Sequence, residues 1–401
     1  MKKIIQINVT CGRGSTGKLA QALHDASVQE GFAAGFAYGD FTPTIPTAFS
    51  IETNLQRKLR KAQNRFFGRK QKHSDPGTKR LLRYLETEKP DLVHLHNIHH
   101  NILHYGKLLA YLKEQEIPVV FTLHDCWAFT GGCYHFTKYQ CSEYKTGCKD
   151  CPLPHQRDDV SYTMEQGYHT RQELMEQNPR LYPVCVSHWL RDRARESYMG
   201  RMTHIPETIY NGINTQLFCP QESDIRKTYG IPADAFVVLG VASFWTEDKG
   251  LSLLLELAQN LPENSVLVLV GQGNENLNKE NVIFIPRTEN QQQLAQLYTT
   301  ADVYINGSVE ETFGMTTAEA LACGTPAIVF DSTACPEVVD EHTGFVVERD
   351  LTAVCAAVQT VKERGKQAYS QACVERVKTC FEETRMVQEY LNLYRRILDE
   401  Q

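Results

Sequence analysis

Two acidic side chains flank the segment TFGMTTA, with Glu311 before it and Glu319 after it. Ionised carboxylates accept hydrogen bonds strongly from hydroxyl groups. Between the two acids lie the backbone amides of Gly314, Met315 and Thr316, and amides at the start of a helix favour a bound anion. This spacing fits a diphosphate held by the amides, with a carboxylate on each side that accepts hydrogen bonds from sugar hydroxyls.

Each glutamate also has a purely structural interpretation. Thr316-x-x-Glu319 has the spacing of a capping box, in which Thr316 is the N-cap and Glu319 bonds back to its amide. Glu311 alone is typical of a solvated loop acid. These interpretations are favoured for either residue in isolation, whereas the pair together with the intervening loop favours a ligand site.

The elements around this segment predict where it lies. DVYIN (302–306) and AIVF (327–330) are short apolar runs, typical of parallel strands that are covered on both faces. The helix between them is expected to end near Gly324, since Pro326 bars its continuation. The helix therefore begins at the carboxyl end of a strand, the edge where open α/β sheets bind ligands.

The sequence from Glu311 through TFGMTTA to Glu319, followed by ALACGTPAIVF and ACPEVV, resembles the E-x7-E signature of glycosyltransferase family four. The resemblance implies a retaining enzyme with the GT-B fold, in which two Rossmann-like doubly wound domains face an interdomain cleft. It implies that Glu319 binds the ribose of a nucleotide-sugar donor. It also implies that Glu311 binds hydroxyls of the donor sugar and is catalytic, while Gly314, Met315 and Thr316 bind the donor.

Lys249-Gly250 stands where this family has a lysine on the donor diphosphate, so Lys249 is expected to be both catalytic and donor-binding. The family's usual arginine, about five residues upstream, is replaced by Phe244. One cation and the helix amides must then neutralise the leaving phosphate, or another arginine must substitute. The structural alternative for Lys249 is a solvated residue at a helix start, where the helix dipole disfavours a cation.

The N-terminal strand, Lys2–Val9, leads into TCGRGSTGK and a helix. This segment nearly matches the phosphate-binding motif of NTPases. Leu19, however, stands where that motif has the Mg²⁺-binding hydroxyl, so an NTPase is rejected. A glycine-rich turn that opens onto a helix is a plausible anion cradle. The acceptor is therefore expected near four residues of this turn, with a ligand-free tight turn as the alternative: Gly14, Ser15, Thr16 and Gly17.

Two further strands, 91–97 and 118–125, end in polar residues. His96 and Asn97 end the first, and His124 and Asp125 follow the second, all at the carboxyl edge of a parallel sheet. A single histidine is more often structural than functional. TLHD, however, resembles the family's position at which a histidine faces the donor sugar, so His124 is expected to be catalytic and the other three to line the acceptor side.

Four cysteines fall within nineteen residues, Cys133, Cys141, Cys148 and Cys151, and close with a C-x2-C spacing. Such spacing in a cytosolic chain is typical of a structural tetrathiolate zinc site. The alternative is a cysteine-rich loop with free thiols or a labile disulfide. HDCWAFTGGC before this cluster resembles bacterial transferases of exopolysaccharide and colanic-acid assembly. Enzymes of family four need no catalytic metal, so a zinc ion here would only stabilise the structure of the loop.

The bulk composition bounds the function class. A chain of 401 residues with 42% hydrophobic and 22% charged residues predicts two globular domains. The net charge of −6 indicates no nucleic-acid partner. No apolar run approaches the ~20 residues that span a bilayer, and MKKIIQINV is a first strand and not a signal peptide. We therefore expect a cytoplasmic protein whose thirteen cysteines are mostly free thiols.

Residues 57–83 carry eleven Lys or Arg against one acid, Asp75, with Phe66 and Phe67 among them. A charge run of this kind is usually a solvated helix face. A basic segment with paired aromatics also suits the anionic inner face of the cytoplasmic membrane or a lipid-phosphate acceptor. The two interpretations stay open at this point.

The sequence thus predicts an acceptor-side domain over 1–203 with a cysteine-rich insert at 126–155, and a donor domain over 204–380. A final helix, 381–401, is expected to pack back toward the first domain. The expected function is retaining transfer of a hexosyl group from a nucleotide-diphosphate sugar to a saccharide or lipid-linked saccharide in cell-surface polysaccharide biosynthesis. The alternatives are a GT-B nucleotide-sugar epimerase, a zinc-containing nucleic-acid-binding protein and a catalytically inactive scaffold.

Overall fold

The computed structural model describes residues 1–66, 75–99, 102–153, 163–273 and 281–400. The chain divides into two compact units. The first comprises Met1–Ile209 together with Val387–Gln401, and the second comprises Tyr210–Met386. The sequence placed the corresponding boundaries at 203 and 380.

The first unit contains a parallel sheet in the order β3-β2-β1-β4-β5-β6-β7. Its strands are β1 (Lys3–Asn8), β2 (Ala33–Tyr38), β3 (Phe49–Ser50), β4 (Leu92–Leu95), β5 (Val119–Leu123), β6 (Leu181–Cys185) and β7 (Glu207–Thr208). Its helices are α1 (Gly14–Gln29), α2 (Asn54–Phe66), α3 (Asp75–Glu88), α4 (Tyr105–Glu114), α5 (Met164–Glu176) and α6 (His188–Glu196).

The second unit repeats this arrangement, with a parallel sheet in the order β10-β9-β8-β11-β12-β13. Its strands are β8 (Phe236–Phe244), β9 (Ser265–Gln272), β10 (Val282–Ile285), β11 (Val303–Ile305), β12 (Ala327–Phe330) and β13 (Gly344–Val347). Its helices are α7 (Ile225–Thr228), α8 (Leu251–Gln259), α9 (Gln291–Thr300), α10 (Met315–Ala322), α11 (Cys335–Val338), α12 (Leu351–Arg364) and α13 (Gln367–Cys380).

Both sheets have a topological switch point, where the strand order reverses. In the first unit it lies between β1 and β4, and in the second between β8 and β11. The central strands are fully buried, as in β4, β5 and β12, because helices cover both sides of a parallel sheet. In such sheets the ligand crevice lies outside the carboxyl ends of the strands at the switch point.

The C-terminal helix α14 (Glu383–Asp399) starts in the second unit, and its residues from Val387 onward belong to the first. The sequence predicts one apolar face for this helix. That prediction is confirmed, since five residues at helical spacing are buried: Met386, Tyr390, Leu393, Tyr394 and Ile397. Residues Tyr390 and Tyr394 also carry hydroxyl groups into the first unit's core, where polar partners must meet them.

Across the described ranges, none of the helices is both long and apolar enough to span a bilayer. Part of the basic stretch at 57–83, residues 67–74, lies outside the described residues. Its flanks are helical, in α2 and α3. On α2, Leu55 and Leu59 point outward, with 68% and 54% of their surface exposed.

Candidate active site

The switch point of the second unit brings together Lys249 and Glu311. Lys249 ends a short 3₁₀ turn that follows β8, and Glu311 lies in the loop that follows β11. The ammonium nitrogen of Lys249 lies 2.8 Å from Glu311 Oε1 and donates to Ser308 Oγ at 3.2 Å. Both side chains are partly exposed, at 38% for Lys249 and 22% for Glu311, so the pair is accessible from the carboxyl edge of the sheet.

Glycine at two positions allows the loops after β8 and β11 to touch through their backbones. A side chain on Gly250, which has φ +79°, would place Cβ 2.3 Å from the carbonyl oxygen of Gly307. A side chain on Gly307 would meet the Lys249 carbonyl at 2.7 Å. The amide of Val309 donates to the Asp248 carbonyl at 2.9 Å, which ties the same two loops together. Lys249 is therefore positioned by main-chain contacts.

The loop that carries Glu311 is held on its other side by hydroxyl groups. Ser332 Oγ donates to the Val309 carbonyl at 2.7 Å, and the Glu311 amide donates to Thr333 Oγ1 at 2.9 Å. Buried Asn306 accepts from the Ser308 amide at 3.1 Å. Each end of the loop thus has a fixed partner, so the carboxylate of Glu311 is preorganised beside Lys249.

Helix α10 begins earlier than the capping-box interpretation requires, and that interpretation is wrong. The N-cap is Gly314, with φ +99°, and the helix runs over Met315–Ala322. Thr316 is the second helical residue, and its hydroxyl accepts a hydrogen bond from Tyr304 at 2.8 Å. Because the first amides of a helix have no intrahelical acceptor, the amides of Met315 and Thr316 are at the position where an anion would bind. Their role in donor binding stays a prediction.

Glu319 lies on α10 and is held by a buried phenol. Tyr298 of α9 donates its hydroxyl to Glu319 Oε2 at 3.0 Å. Burial raises the pKa of Tyr298 well above its usual value, and the negative charge of Glu319 adds to this effect. The phenol therefore remains a donor, and it orients one carboxylate oxygen of Glu319.

The two acids of the motif have different partners but a common neighbour. Burial raises the pKa of Tyr304, at β11, and the charges of Glu311 and Glu319 raise it further, while the hydrogen bond to Thr316 lowers it. The Tyr304 ring lies 5.7 Å from the ring of Tyr298, so the phenol that binds Thr316 and the phenol that binds Glu319 are neighbours. The predicted donor residues form one group in the second unit.

The predicted acceptor-side residues belong to the first unit. His96 and Asn97 follow β4, while His124 and Asp125 follow the neighbouring strand β5. His96 Nδ1 and His124 Nε2 lie 3.1 Å apart, and the Asn97 amide donates to Asn8 Oδ1 at 3.2 Å. The structure thus joins the two histidines, which the sequence placed only on the same edge.

Asp125 and His124 differ in their surroundings. Burial alone would raise the pKa of Asp125, but the charge and hydrogen bond of His99, 2.9 Å away, and the Trp127 amide lower it overall. Burial lowers the pKa of His124 to about 4, against an opposing effect of Asp125. At neutral pH, Asp125 is therefore ionised and His124 is neutral.

Residues Gly14, Ser15, Thr16 and Gly17 form the first turn of α1. The sequence placed them in a glycine-rich turn before the helix, and the structure corrects this, because the helix already begins at Gly14. Gly17 is needed for packing, since a Cβ there would lie 2.4 Å from Thr10 Oγ1. Gly14 and Ser15 are exposed at this edge of the sheet.

The four clustered cysteines, Cys133, Cys141, Cys148 and Cys151, line one small cavity in the first unit. The Gly131 amide donates to Cys148 Sγ at 3.0 Å. Burial raises the pKa of Cys148 to about 12, and the neighbouring thiols add to this. Among the described residues, none of the thirteen cysteines forms a disulfide bond. Within the described ranges, no three His, Cys, Asp or Glu side chains are arranged to hold a metal ion. The zinc site stays a prediction from the cysteine spacing alone.

Sequence reasoning left the replacement for the missing arginine at Phe244 open. Phe244 ends β8 with 40% of its surface exposed. Arg349 follows β13 at the same edge of the sheet. Its guanidinium donates at 3.5 Å to the carbonyl of Glu247, in the 3₁₀ turn that ends at Lys249. It also lies over the Phe330 ring at 5.7 Å. Its position two residues beyond Val347, the last residue of β13, is the sequence signal for its location at this edge.

Comparisons with known proteins match both units. Residues 19–151 match the family described as Glycosyltransferase Family 4, and residues 221–372 match Glycosyl transferases group 1. The two matches together cover more than half of the chain. The chain belongs to the glycosyltransferases. This result confirms the family resemblance seen at Glu311 and Glu319.

A relative from Escherichia coli matches nearly the full length of this glycosyltransferase. It is a putative colanic acid biosynthesis glycosyl transferase, WcaC, of Escherichia coli K12, 23% identical over 98% of this chain and 100% of its own. N-acetyl-alpha-D-glucosaminyl L-malate synthase of Bacillus anthracis is 27% identical over 54% of this chain and 59% of its own. The chain thus spans little more than half the length of this second relative.

Solved structures share the fold across the entire chain. A sucrose-phosphate synthase from Thermosynechococcus elongatus aligns over 100% of both chains with a TM-score of 0.71 and 19% identity. Anabaena HepE in complex with UDP aligns over 98% of this chain and 99% of its own, with a TM-score of 0.67 and 15% identity. Together with the two parallel sheets, these matches confirm the predicted α/β GT-B fold class.

We predict that the free energy of unfolding of this glycosyltransferase falls measurably at acid pH. Below pH 6.5 an unfolded histidine binds a proton, whereas folded His124, with its pKa near 4, stays neutral. The folded state then binds fewer protons than the unfolded state, so stability falls as pH drops from 6.5 toward 4. His94 and His96, whose pKa values burial also lowers, act in the same direction. Thermal midpoints between pH 7 and pH 5 measure the effect.

His96→Gln removes one of these groups and leaves the carboxylates unchanged. Its midpoint should be lower at pH 7, because a buried hydrogen bond is lost, but it should fall less steeply toward pH 5. If the thermal midpoints of the variant and the wild type fall equally between pH 7 and pH 5, the loss of stability does not come from these histidines.

The zinc content of protein purified without chelators tests the metal site that the spacing of the four cavity cysteines predicts. Cys148→Ser should lower both the metal content and the thermal midpoint, since a structural zinc contributes folding free energy. Cys185→Ser, at a buried cysteine of β6 outside the cavity, is the matched control and should leave the metal content unchanged. Elemental analysis that finds no zinc above background would remove the metal interpretation.

Proposed function

We propose that this glycosyltransferase moves a hexosyl group from a nucleotide-diphosphate sugar to a saccharide or lipid-linked saccharide acceptor, with retention of the anomeric configuration, in cell-surface polysaccharide biosynthesis. The observation that carries the proposal is the group at the second unit's switch point. A lysine–glutamate pair 2.8 Å apart shares one carboxyl edge with the N-terminus of α10, where an anion is favoured.

The chemistry of the donor fits the side chains of this group. A diphosphate carries negative charge that the Lys249 ammonium and the amides of Met315 and Thr316 are suited to bind. The carboxylate of Glu319, oriented by Tyr298, accepts hydrogen bonds from ribose hydroxyls. Glu311 accepts from hydroxyls of the transferred sugar. Of the structural neighbours, HepE was solved in complexes with UDP and with UDP-glucose, which supports a donor of this class.

Stabilisation of the leaving diphosphate is the main catalytic effect in this proposal. Negative charge grows on that group as the glycosidic bond breaks, and preorganised donors there lower the barrier. Lys249 is held by Ser308 and by main-chain contacts, so little reorganisation is needed. We place no covalent nucleophile. Retention then follows from attack on the same face, with the departing phosphate accepting the acceptor's proton.

The proposed setting in polysaccharide assembly rests on the relative that spans the full chain, WcaC, whose printed name is a putative colanic acid biosynthesis glycosyl transferase. The acceptor of that setting is a saccharide or a lipid-linked saccharide. In this proposal it lies in the first unit, near His124 and the first turn of α1.

Mass spectrometry tests the proposal directly. The full chain is incubated with UDP-, GDP-, ADP- and TDP-hexoses in turn, together with saccharide and lipid-linked acceptors. We expect one donor to yield a hexosylated acceptor and free nucleoside diphosphate, and the NMR coupling at the anomeric proton to match that of the donor. Conversion of the donor sugar without an acceptor would instead identify an epimerase, and an inverted product would exclude retention.

We propose in addition that α2 contacts an anionic membrane surface, where a lipid-linked acceptor resides. Leu55 and Leu59 are exposed one helical turn apart on α2, within a strongly basic part of the sequence. Exposed leucines flanked by cations are the composition of interfacial helices. The proposed partner of α2 is therefore an anionic lipid surface.

Vesicle flotation tests this contact. The wild type should float with anionic vesicles at low salt and less at high salt, because Coulomb attraction is screened. The double variant Leu55→Ser with Leu59→Ser should lose most of this binding. Val28→Ser, at an exposed valine of α1, is the matched control and should bind as the wild type does. Equal flotation with neutral vesicles would contradict the proposal.

A further inference from the structure

A chain of hydrogen bonds runs through the core of the first unit from His124 to the C-terminal helix. His124 Nε2 lies 3.1 Å from His96 Nδ1, and His96 Nε2 lies 3.0 Å from Gln6 Oε1. Gln6 Nε2 donates to the Tyr394 hydroxyl at 3.2 Å, and that hydroxyl lies 2.6 Å from His94 Nδ1. Gln6, His94 and His96 are each no more than 1% exposed, so water does not compete for these groups.

Each of the three imidazoles in this chain carries a single ring proton at neutral pH. Burial lowers the pKa of His94 and of His96 well below 6.5, and it lowers the pKa of His124 to about 4. A neutral imidazole has one N–H donor and one acceptor nitrogen. The position of one proton therefore determines the position of the next along the chain.

Gln6 is the group that determines this order. Its Oε1 can only accept, so the hydrogen bond to His96 requires the proton on His96 Nε2. His96 Nδ1 is then an acceptor, and His124 must donate to it from Nε2. We infer that Gln6, acting through His96, holds His124 in the tautomer that is protonated at Nε2 and keeps Nδ1 as its acceptor nitrogen.

The C-terminal helix supplies the second hydrogen-bond partner of the Gln6 amide. Because the Tyr394 hydroxyl accepts from Gln6 Nε2, its own proton goes to His94 Nδ1. His94 Nε2 then donates to Thr122 Oγ1 at 2.7 Å, and Thr122 lies 2.7 Å from the Tyr390 hydroxyl. Two tyrosines of α14 thus terminate the network, and a reversed amide would have to reverse the protons of both histidines.

The consequence for the reaction rests on the proposed function. An unprotonated Nδ1 on His124 accepts a hydrogen bond from a sugar hydroxyl, whereas an Nδ1–H would donate one. Gln6 and His96 are positioning residues in this account, since they act on the substrate only through His124. The tautomer itself is a property of the folded protein and is measurable without any substrate.

Nitrogen-15 NMR of the full chain, labelled at histidine, tests the inference in the wild type. Protonated and unprotonated ring nitrogens have well-separated shifts, and His94→Gln, His96→Gln and His124→Asn assign the three rings. We expect all three to be protonated at Nε2. Protonation of His124 at Nδ1 would overturn the inference.

A pair of variants separates Gln6 from the rest of the network. Gln6→Met keeps a similar shape but removes the acceptor for His96, so the His124 ring should no longer show a single tautomer. Tyr394→Phe removes the proton donor to His94 and the acceptor for Gln6 Nε2. It retains the acceptor Gln6 Oε1 for His96, so the His124 tautomer should not change. An unchanged His124 tautomer in folded Gln6→Met protein would overturn the inference.

Steady-state kinetics tests whether the tautomer of His124 matters for the reaction. Gln6→Met should lower kcat by about tenfold with little change in donor KM, by analogy with the loss that follows removal of the partner of a metal-bound histidine. If the tautomer changes as expected but no nucleotide-diphosphate sugar is turned over even by the wild type, the proposed function fails and the inference on Gln6 stands.

Discussion

Replacing Lys249 with alanine is expected to lower kcat for glycosyl transfer by about 10²–10³-fold, the loss that follows removal of one preorganised group that stabilises developing negative charge. The ammonium group is held at 2.8 Å from Glu311 and 3.2 Å from Ser308, so it is in place before the reaction. Because the charge on the departing diphosphate is largest in the transition state, kcat should fall more than KM rises. Steady-state kinetics with the donor identified by mass spectrometry measures both constants.

Two further variants make this result specific. Lys227→Ala removes an exposed lysine of α7 in the same unit and should leave kcat unchanged. Lys249→Arg retains the positive charge and should recover part of the activity. Full activity in Lys249→Ala, or an equal loss in Lys227→Ala, would exclude Lys249 from the site.

Replacing Glu319 with alanine is expected to abolish measurable transfer and to weaken nucleotide binding by about 10–100-fold. A hydrogen bond to a charged group contributes about 1.5–3 kcal/mol, and ~1.4 kcal/mol corresponds to a factor of ten in affinity. In contrast to Lys249→Ala, the loss should already appear in ground-state binding of the free nucleoside diphosphate. Titration calorimetry with that nucleotide is the measurement.

A variant of Tyr298 provides a smaller change at the same carboxylate, with which the effect of Glu319→Ala can be compared. Tyr298→Phe retains the Glu319 carboxylate but removes the donor at 3.0 Å that orients it, so its effect on affinity should be smaller than that of Glu319→Ala. Glu341→Ala, at a glutamate that is 81% exposed, should bind as the wild type does. Unchanged nucleotide affinity in folded Glu319→Ala protein would refute the ribose-binding role.

The strands around the donor motif could be predicted from the sequence, because their signal is local. DVYIN and AIVF contain β11 and β12, and a parallel strand covered on both faces is apolar throughout. The start of α10 could not be predicted in the same way. Thr316-x-x-Glu319 has the spacing of a capping box, but Gly314 adopts φ +99° and Tyr304 binds the Thr316 hydroxyl. Tertiary contacts therefore decided where the helix starts.

The contacts that assemble the site depend on packing between distant segments. The sequence placed Lys249 and Glu311 in one donor site, yet it could not show that they pair directly. That distance follows from the close approach of Gly250 and Gly307, which joins two loops about sixty residues apart in the chain. Sequence spacing alone does not specify such an approach.

The role of Gln6 was missed although a signal for it was present. Gln6 interrupts the apolar first strand, and a buried amide must find hydrogen-bond partners. Its partners, His96 and Tyr394, lie 90 and 388 residues away along the chain. A polar residue in a buried strand thus indicates a network, but it does not identify the other members.

Thermal unfolding in the presence of nucleotide-diphosphate sugars tests the donor site most directly, because a ligand that binds only the native state raises the midpoint. At least one of the UDP-, GDP-, ADP- and TDP-hexoses should raise the midpoint of the wild type by several degrees. The same sugar should leave the double variant Lys249→Ala with Glu319→Ala unshifted. If none of the donors shifts the wild type, or if the double variant shifts as far as the wild type does, the donor site is not where we place it.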